Sequence, residues 1–202
     1  MVNTLVTLKK GEGRYLSSGG LWIFDNEIDT IKGRFRNGEL VKVQAFNEYP
    51  LGIGYINQNS KIRIRMLTRN IEQEIDDSFL RMRLENAWKY RKDTVDTSSC
   101  RVIFGEADFL PGIVIDKYED ILVVQALTLG IERYKERIVE LLKDVLLQDG
   151  IKIRGVYERS DANEREKEGL AKHKGFIGPE FDPVVEITEN GVKYLVDVEN
   201  GQ

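Results

Sequence analysis

The chain has 202 residues, 41% of them hydrophobic and 32% charged, with a formal net charge of −4. That length suits one large domain or two small ones, and the balance excludes a disordered tail and, with no apolar run approaching about 18 residues, a helical membrane protein. One cysteine, Cys100, and one histidine, His173, exclude an internal disulfide framework and a zinc site built on thiolate or imidazole.

The opening "MVNTLVTLKKGEG" alternates apolar and polar side chains as a strand does, and it lacks the apolar core of a secretion signal, so a cytoplasmic protein is expected. Up to Leu67 the pattern is of short β-rich runs broken by turn residues: "TLVTL", "GELVKVQAF", "LGIGYI" and "KIRIRML". These predict a small, strongly bent sheet or barrel. In "KIRIRML" the period of two puts Ile62, Ile64 and Met66 on one face and Lys61, Arg63 and Arg65 on the other. Of the aromatic residues nearby, Trp22 and Phe24 are expected in the core.

The period then changes. "EIDDSFLRMRLENAWKYRKD" spaces Leu80, Leu84, Ala87 and Trp88 for a helix behind the capping candidates Asp76 and Asp77, with Arg81 and Glu85 as a weak surface pair. The charge changes too. Residues 1–70 hold 11 Lys/Arg against 6 Asp/Glu, whereas residues 71–202 hold 19 against 28. A basic module therefore precedes an acidic one, with the junction near Asn70, and attraction to phosphate is expected in the first.

In the second module "CRVIF", "GIVID" and "ILVVQA" read as strands, with "KYED" as a turn. "IERYKERIVELLKDVLLQDG" reads as an amphipathic helix, with Ile131, Tyr134, Ile138, Leu141, Leu142 and Val145 on one face and Gly150 as the stop. Strands follow at "IRGVYER", "VVEIT" and "VKYLVDV", the last two joined by the tight-turn pair Asn190-Gly191. The polar stretch "DANEREKEGLAKHKG" between the first two of these strands is expected to be a mobile excursion.

Three groups of residues invite a chemical reading. Glu106, Asp108 and Asp116, around the Pro111-Gly112 turn, are candidates for acid/base work or a hard-cation site, or else for loop acids that cap and solvate. Lys9, Lys10, Arg14, Arg34, Arg36, Lys42, Lys61, Arg63 and Arg65 are candidates for a phosphate-facing surface, with Tyr15 and Trp22 as stacking groups suited to RNA. Cys100 leads a hydrophobic strand with no base beside it and reads as a structural thiol, and His173 as solvent-exposed. No GxGxxG or GxxxxGKS loop occurs, so a nucleotide site is not expected in these residues.

In order along the chain, "GGLWIFDNEI", "GELVKVQAFNEYPLGIGYINQNSKIRIRML", "FGEADFLPGIVIDKYEDILVVQ", "GVYERSD" and "ENGVKYLVDVENGQ" resemble the N-terminal half of PUA-containing ribosomal RNA methyltransferases. The chain is similar to the bacterial 23S rRNA cytosine-5 enzymes that use S-adenosylmethionine. The resemblance implies an α+β fold: a PUA-like RNA-binding barrel at residues 1–70, a central α/β linker domain at 71–198, and at 199–202 the start of a linker into a Rossmann-type methyltransferase domain that this chain lacks. It implies ribosomal RNA as partner, no membrane or metal, and S-adenosylmethionine as cofactor of the full-length parent, approached by Gln202 but not bound by this chain alone. The RNA-binding residues expected are Lys9, Lys10, Arg14, Lys61, Arg63 and Arg65, in a substrate-positioning part without catalysis. A stand-alone PUA-type RNA adapter, and a hydrolase using Glu106, Asp108 and Asp116, remain as alternatives.

Overall fold

The computed structural model describes residues 2–201. Six short strands, β1 (Leu5–Leu8), β2 (Trp22–Phe24), β3 (Ile28–Lys32), β4 (Leu40–Gln44), β5 (Pro50–Ile56) and β6 (Ile62–Thr68), form one sheet in the order β2-β6-β5-β4-β1-β3. It curls around Val6, Leu8, Ile23, Val41, Val43, Ile64 and Met66. The edge strands β2 and β3 are consecutive in the chain and are joined by a single 3-10 turn, Asp25–Glu27. The curl thus brings both edges to one corner, where the Lys9 amide donates to the Glu27 carbonyl. A four-residue helix, α1 (Arg14–Ser17), lies between β1 and β2.

α2 (Asp77–Thr94) starts where Asp76 accepts a hydrogen bond from the Phe79 amide at 2.9 Å, an N-cap that satisfies an otherwise orphaned donor. It buries Leu80, Leu84, Ala87 and Trp88, the residues the helical spacing selects. Arg81 pairs with Asp144 at 3.1 Å rather than with Glu85, because the second long helix packs alongside. The predicted helix at residues 131–150 is two pieces, α3 (Leu129–Glu132) and α4 (Lys135–Gln148), and Gly150 with φ 78° ends it.

β7 (Ser99–Phe104), β8 (Ile113–Tyr118), β9 (Ile121–Ala126), β10 (Gly155–Ser160) and β11 (His173–Phe176) make a second sheet, ordered β11-β10-β9-β8-β7. The turn expected at "KYED" is narrower, since β8 runs through Tyr118. One face of this sheet carries α2 and α4 over a core that includes Leu84, Trp88, Ile103, Ile115, Ile138 and Leu142. The other face, with Ile121, Val123 and Tyr157, is covered by the hairpin of β12 (Val184–Glu189) and β13 (Val192–Asp197) through Val185 and Ile187. Asn190 (φ 52°) and Gly191 (φ 80°) turn that hairpin, both left-handed as a two-residue hairpin turn requires.

The polar stretch 161–175 is not a mobile excursion. It folds into α5 (Glu164–Lys167) and β11, and it buries Arg165 and Glu168, each 3% exposed. Both acquire partners that only the folded chain supplies.

Candidate nucleic-acid interface

The Asp25–Glu27 corner gathers most of the cations expected to meet phosphate. Lys9 Nζ donates to the Asn26 carbonyl at 2.7 Å, and the Asp25 amide donates to the Lys61 carbonyl at 3.0 Å. Arg63 lies 4.0 Å from the Asp25 carboxylate. Beside Arg14, the Gly13 amide donates to Glu27 Oε1 at 3.3 Å, while the Phe24 amide donates to Glu27 Oε2 at 2.6 Å. Glu27 is buried and ties α1 to β2, so Arg14 and the exposed Lys10 are carried to the same corner. Lys42 is elsewhere, against Glu72, and Arg34 lines a separate cleft with Thr4 and Tyr134.

Arg65 departs from the expected cationic face. It is 8% exposed, and its guanidinium meets Glu168 at 2.9 Å. Strand alternation does turn it away from the core of the first sheet, but that side is covered by the second domain. What periodicity cannot register is this second layer.

Alternation also corrects the aromatics. Ile23 takes the core side of edge strand β2; Trp22 is half-buried and packs against that core, whereas Phe24 is 37% exposed and does not join it. Tyr15, 47% exposed, lies 6.2 Å from Trp22, which lies 6.5 Å from Phe24. A row of three rings therefore runs along the barrel edge that the cations border.

The acidic residues do not converge. Glu106 accepts from the Trp22 indole at 2.8 Å. Asp108 takes a bidentate pair from Arg91 at 2.8 and 2.6 Å, together with the Phe104 amide. Asp116 is held by Arg101 at 2.8 and 3.1 Å. Every carboxylate is committed, and no group of His, Cys, Asp and Glu among the described residues is able to hold a metal ion; Glu106 ties the two domains together, while Asp108 and Asp116 fix elements within the second.

That junction is the part that sequence reading missed. Tyr55 and Leu67, from the first sheet, belong to the core of the second domain. The Tyr55 hydroxyl donates to the Pro111 carbonyl and shares a 2.8 Å hydrogen bond with Thr128; burial pushes its pKa above the ordinary phenol range. Below Arg65 and Glu168, Asn57 donates to both the carbonyl and the carboxylate of Glu168. Arg165 donates to the Ala126 and Ala171 carbonyls and to Glu132, and Lys135 bridges Glu132 and Glu158 at 2.8 Å. His173 is exposed, 3.7 Å from Glu158. The mixed charge of "NEREKEGLAKHK" was the available signal, since a solvated loop has no need of it.

Cys100 is half-buried in β7 opposite Lys117. Burial pushes its thiol up, and the Lys117 and Arg91 charges only partly offset this. Iodoacetamide at neutral pH should therefore alkylate the native protein more slowly than the urea-unfolded chain, because the thiolate is the reactive form. Equal rates would contradict a structural thiol.

One strand-to-helix turn is closed to a ligand such as S-adenosylmethionine. The turn from β9 into α3, where a strand-to-helix loop would receive such a ligand, is filled by the Tyr55 ring, and a Cβ on Gly130 would lie 2.0 Å from it. Gln202, the residue expected to approach the cofactor, lies outside the described residues. No helix among them is long and apolar enough to cross a membrane.

Residues 6–69 match the PUA-like domain family. The chain is 34% identical over 203 residues to Ribosomal RNA large subunit methyltransferase I of Pseudoalteromonas atlantica, covering 99% of this chain and 50% of that protein. It is 38% identical over 202 residues to the protein of that name in Shewanella denitrificans, covering 97% and 49%. A Streptococcus mutans protein provisionally described as a SAM-dependent methyltransferase shares the fold, with TM-score 0.77 at 16% identity over all of this chain and 50% of that one. So does a structure described as a methyltransferase complexed with SAH, with TM-score 0.77 at 17% identity over all of this chain and 49% of that one. The chain thus carries a segment that matches the PUA-like domain family and is similar to Ribosomal RNA large subunit methyltransferase I, spanning about half the length of the curated relatives it matches.

Proposed function

We propose that this chain is the RNA-binding and substrate-positioning portion of an rRNA cytosine-5 methyltransferase and is itself non-catalytic. Residues 1–70 engage RNA, residues 71–198 fix the angle at which it is presented, and residues 199–202 begin the link to the catalytic domain, which would bind S-adenosylmethionine. The observation that carries the reading is the shared corner of Lys9, Lys10, Arg14, Lys61 and Arg63, bordered by the Tyr15, Trp22 and Phe24 rings. Cations there attract phosphates, and the rings offer faces to unpaired bases. Arg65 serves this reading indirectly, by holding the barrel on the second domain.

Lys61→Ala combined with Arg63→Ala should weaken binding to structured RNA. It should also reduce the slope of log K against log salt by roughly 0.7 to 0.9 for each phosphate that is no longer neutralised. Affinity and slope that match the unsubstituted protein would refute the assignment of this corner. The stand-alone adapter reading has no observation of its own in its favour.

A further inference from the structure

We infer that the second domain carries its own site for unpaired nucleobases, a cleft of about 460 Å³ walled by Arg83, Tyr90, Arg91, Phe104, Asp108 and Phe109. The inference rests on the RNA-binding reading above and adds a second point of attachment to it, outside the PUA-like domain. Three aromatic residues that sequence reading left unassigned are open to solvent here: Tyr90 at 60%, Phe104 at 51% and Phe109 at 47%. Each has a guanidinium over one ring face: Arg91 at 5.2 Å from Tyr90, Arg101 at 5.0 Å from Phe104 and Arg83 at 4.8 Å from Phe109. Ring and guanidinium planes are the surfaces on which unstacked bases are held.

The cleft is also built to keep its shape. Asp108 accepts the two Arg91 bonds and the Phe104 amide, so one carboxylate fixes a helix arginine and the end of a strand. Phe109 sits in the left-handed region, φ 58°, which is costly for a residue with a side chain. A glycine would remove the strain; the phenylalanine holds an open ring against Arg83. Asn86, on the same wall, supplies an amide donor and acceptor for a base edge.

Continuity with the barrel favours RNA as the occupant over another protein. Glu106, in the 3-10 turn between Phe104 and Phe109, accepts the Trp22 indole hydrogen bond. The turn that carries Phe104 and Phe109 at its two ends therefore touches the middle ring of the row Tyr15, Trp22 and Phe24. The Arg91 and Arg101 charges are neutralised by Asp108 and Asp116, so the cleft should add stacking rather than phosphate attraction.

The test is fluorescence anisotropy with a labelled 12-nucleotide single-stranded RNA and a 12-base-pair RNA duplex, using the chain itself. Phe104→Ala with Phe109→Ala should weaken single-strand binding roughly 5- to 100-fold for each stack removed, leave duplex binding within about twofold, and leave the salt slope unchanged. Phe109→Gly removes one ring while relieving the backbone, so a loss of affinity at an unchanged melting temperature does not come from unfolding. Unchanged single-strand affinity in these variants, with binding abolished in the Lys61 and Arg63 variant, would overturn this cleft and leave the RNA reading standing. No binding of either RNA by the unsubstituted chain would overturn both. If sedimentation shows self-association that the ring substitutions abolish while RNA affinity is unchanged, the rings form a protein interface and the inference fails.

Discussion

Arg65→Ala is expected to cost the folded protein about 3 to 5 kcal/mol, the scale for breaking a buried ion pair from one side. The cost arises on the partner: Glu168, its side chain 4% exposed, would be left a buried carboxylate without its guanidinium. Glu168→Ala should cost a similar amount, since it strands Arg65 and removes one acceptor from Asn57. Arg65→Met together with Glu168→Leu should recover most of the loss, because an apolar pair of similar volume avoids the desolvation penalty. Urea unfolding, read as the shift in midpoint at constant m, measures all three. If Arg65→Ala costs less than about 1 kcal/mol, the pair behaves as a solvated surface bridge and the junction does not depend on it.

The same network gives a sign to the effect of acid. Burial raises the Glu132 carboxyl, but hydrogen bonds from Arg165 and Lys135 more than offset this and hold it below the ordinary carboxylate value. Its contribution to stability is thus present above the unfolded pKa and lost as pH falls through the lower folded one.

The second large effect belongs to Tyr55. Tyr55→Ala should cost about 3 to 5 kcal/mol, as aromatic truncations in cores do, since this fully buried ring is shared by the two domains. Tyr55→Phe isolates the hydroxyl and should cost about 1 to 3 kcal/mol by leaving the Pro111 carbonyl and Thr128 short of a partner. Gly130→Ala should be damaging by overpacking, because the new methyl would lie 2.0 Å from the ring. Tyr55→Ala with Gly130→Ala should then lose less than the sum of the two, the methyl entering the space that the ring has left. Additive losses by thermal unfolding would show that ring and glycine do not compete for one volume.

Both effects concern the seam between the domains, and this bears on function. The proposed presenting role requires a fixed angle, and the seam is made of a shared ring, a buried ion pair and the Trp22–Glu106 bond. The Trp22–Glu106 bond links the proposed RNA corner to the turn that borders the proposed base cleft.

The sequence by itself determined most of the longer elements and the side each presents to its own layer, though not β3, α5 or β11. "KIRIRML" fixed β6, Leu80 to Trp88 fixed the buried face of α2, and Asn190-Gly191 fixed the last hairpin, because periodicity and turn chemistry act over a few neighbouring residues. The cations of the barrel were legible as types, Lys9, Lys10, Arg14, Lys61 and Arg63 among them. That they share a corner was decided by the curl of the sheet. Only the tertiary structure decided that Arg65 is buried while Phe24 is exposed, that Glu106, Asp108 and Asp116 are each already paired, and that "DANEREKEGLAKHKG" is anchored. The buried and paired groups depend on partners between 15 and 111 residues away in sequence. A period of two or 3.6 says which way a side chain points, but not which layer lies in that direction.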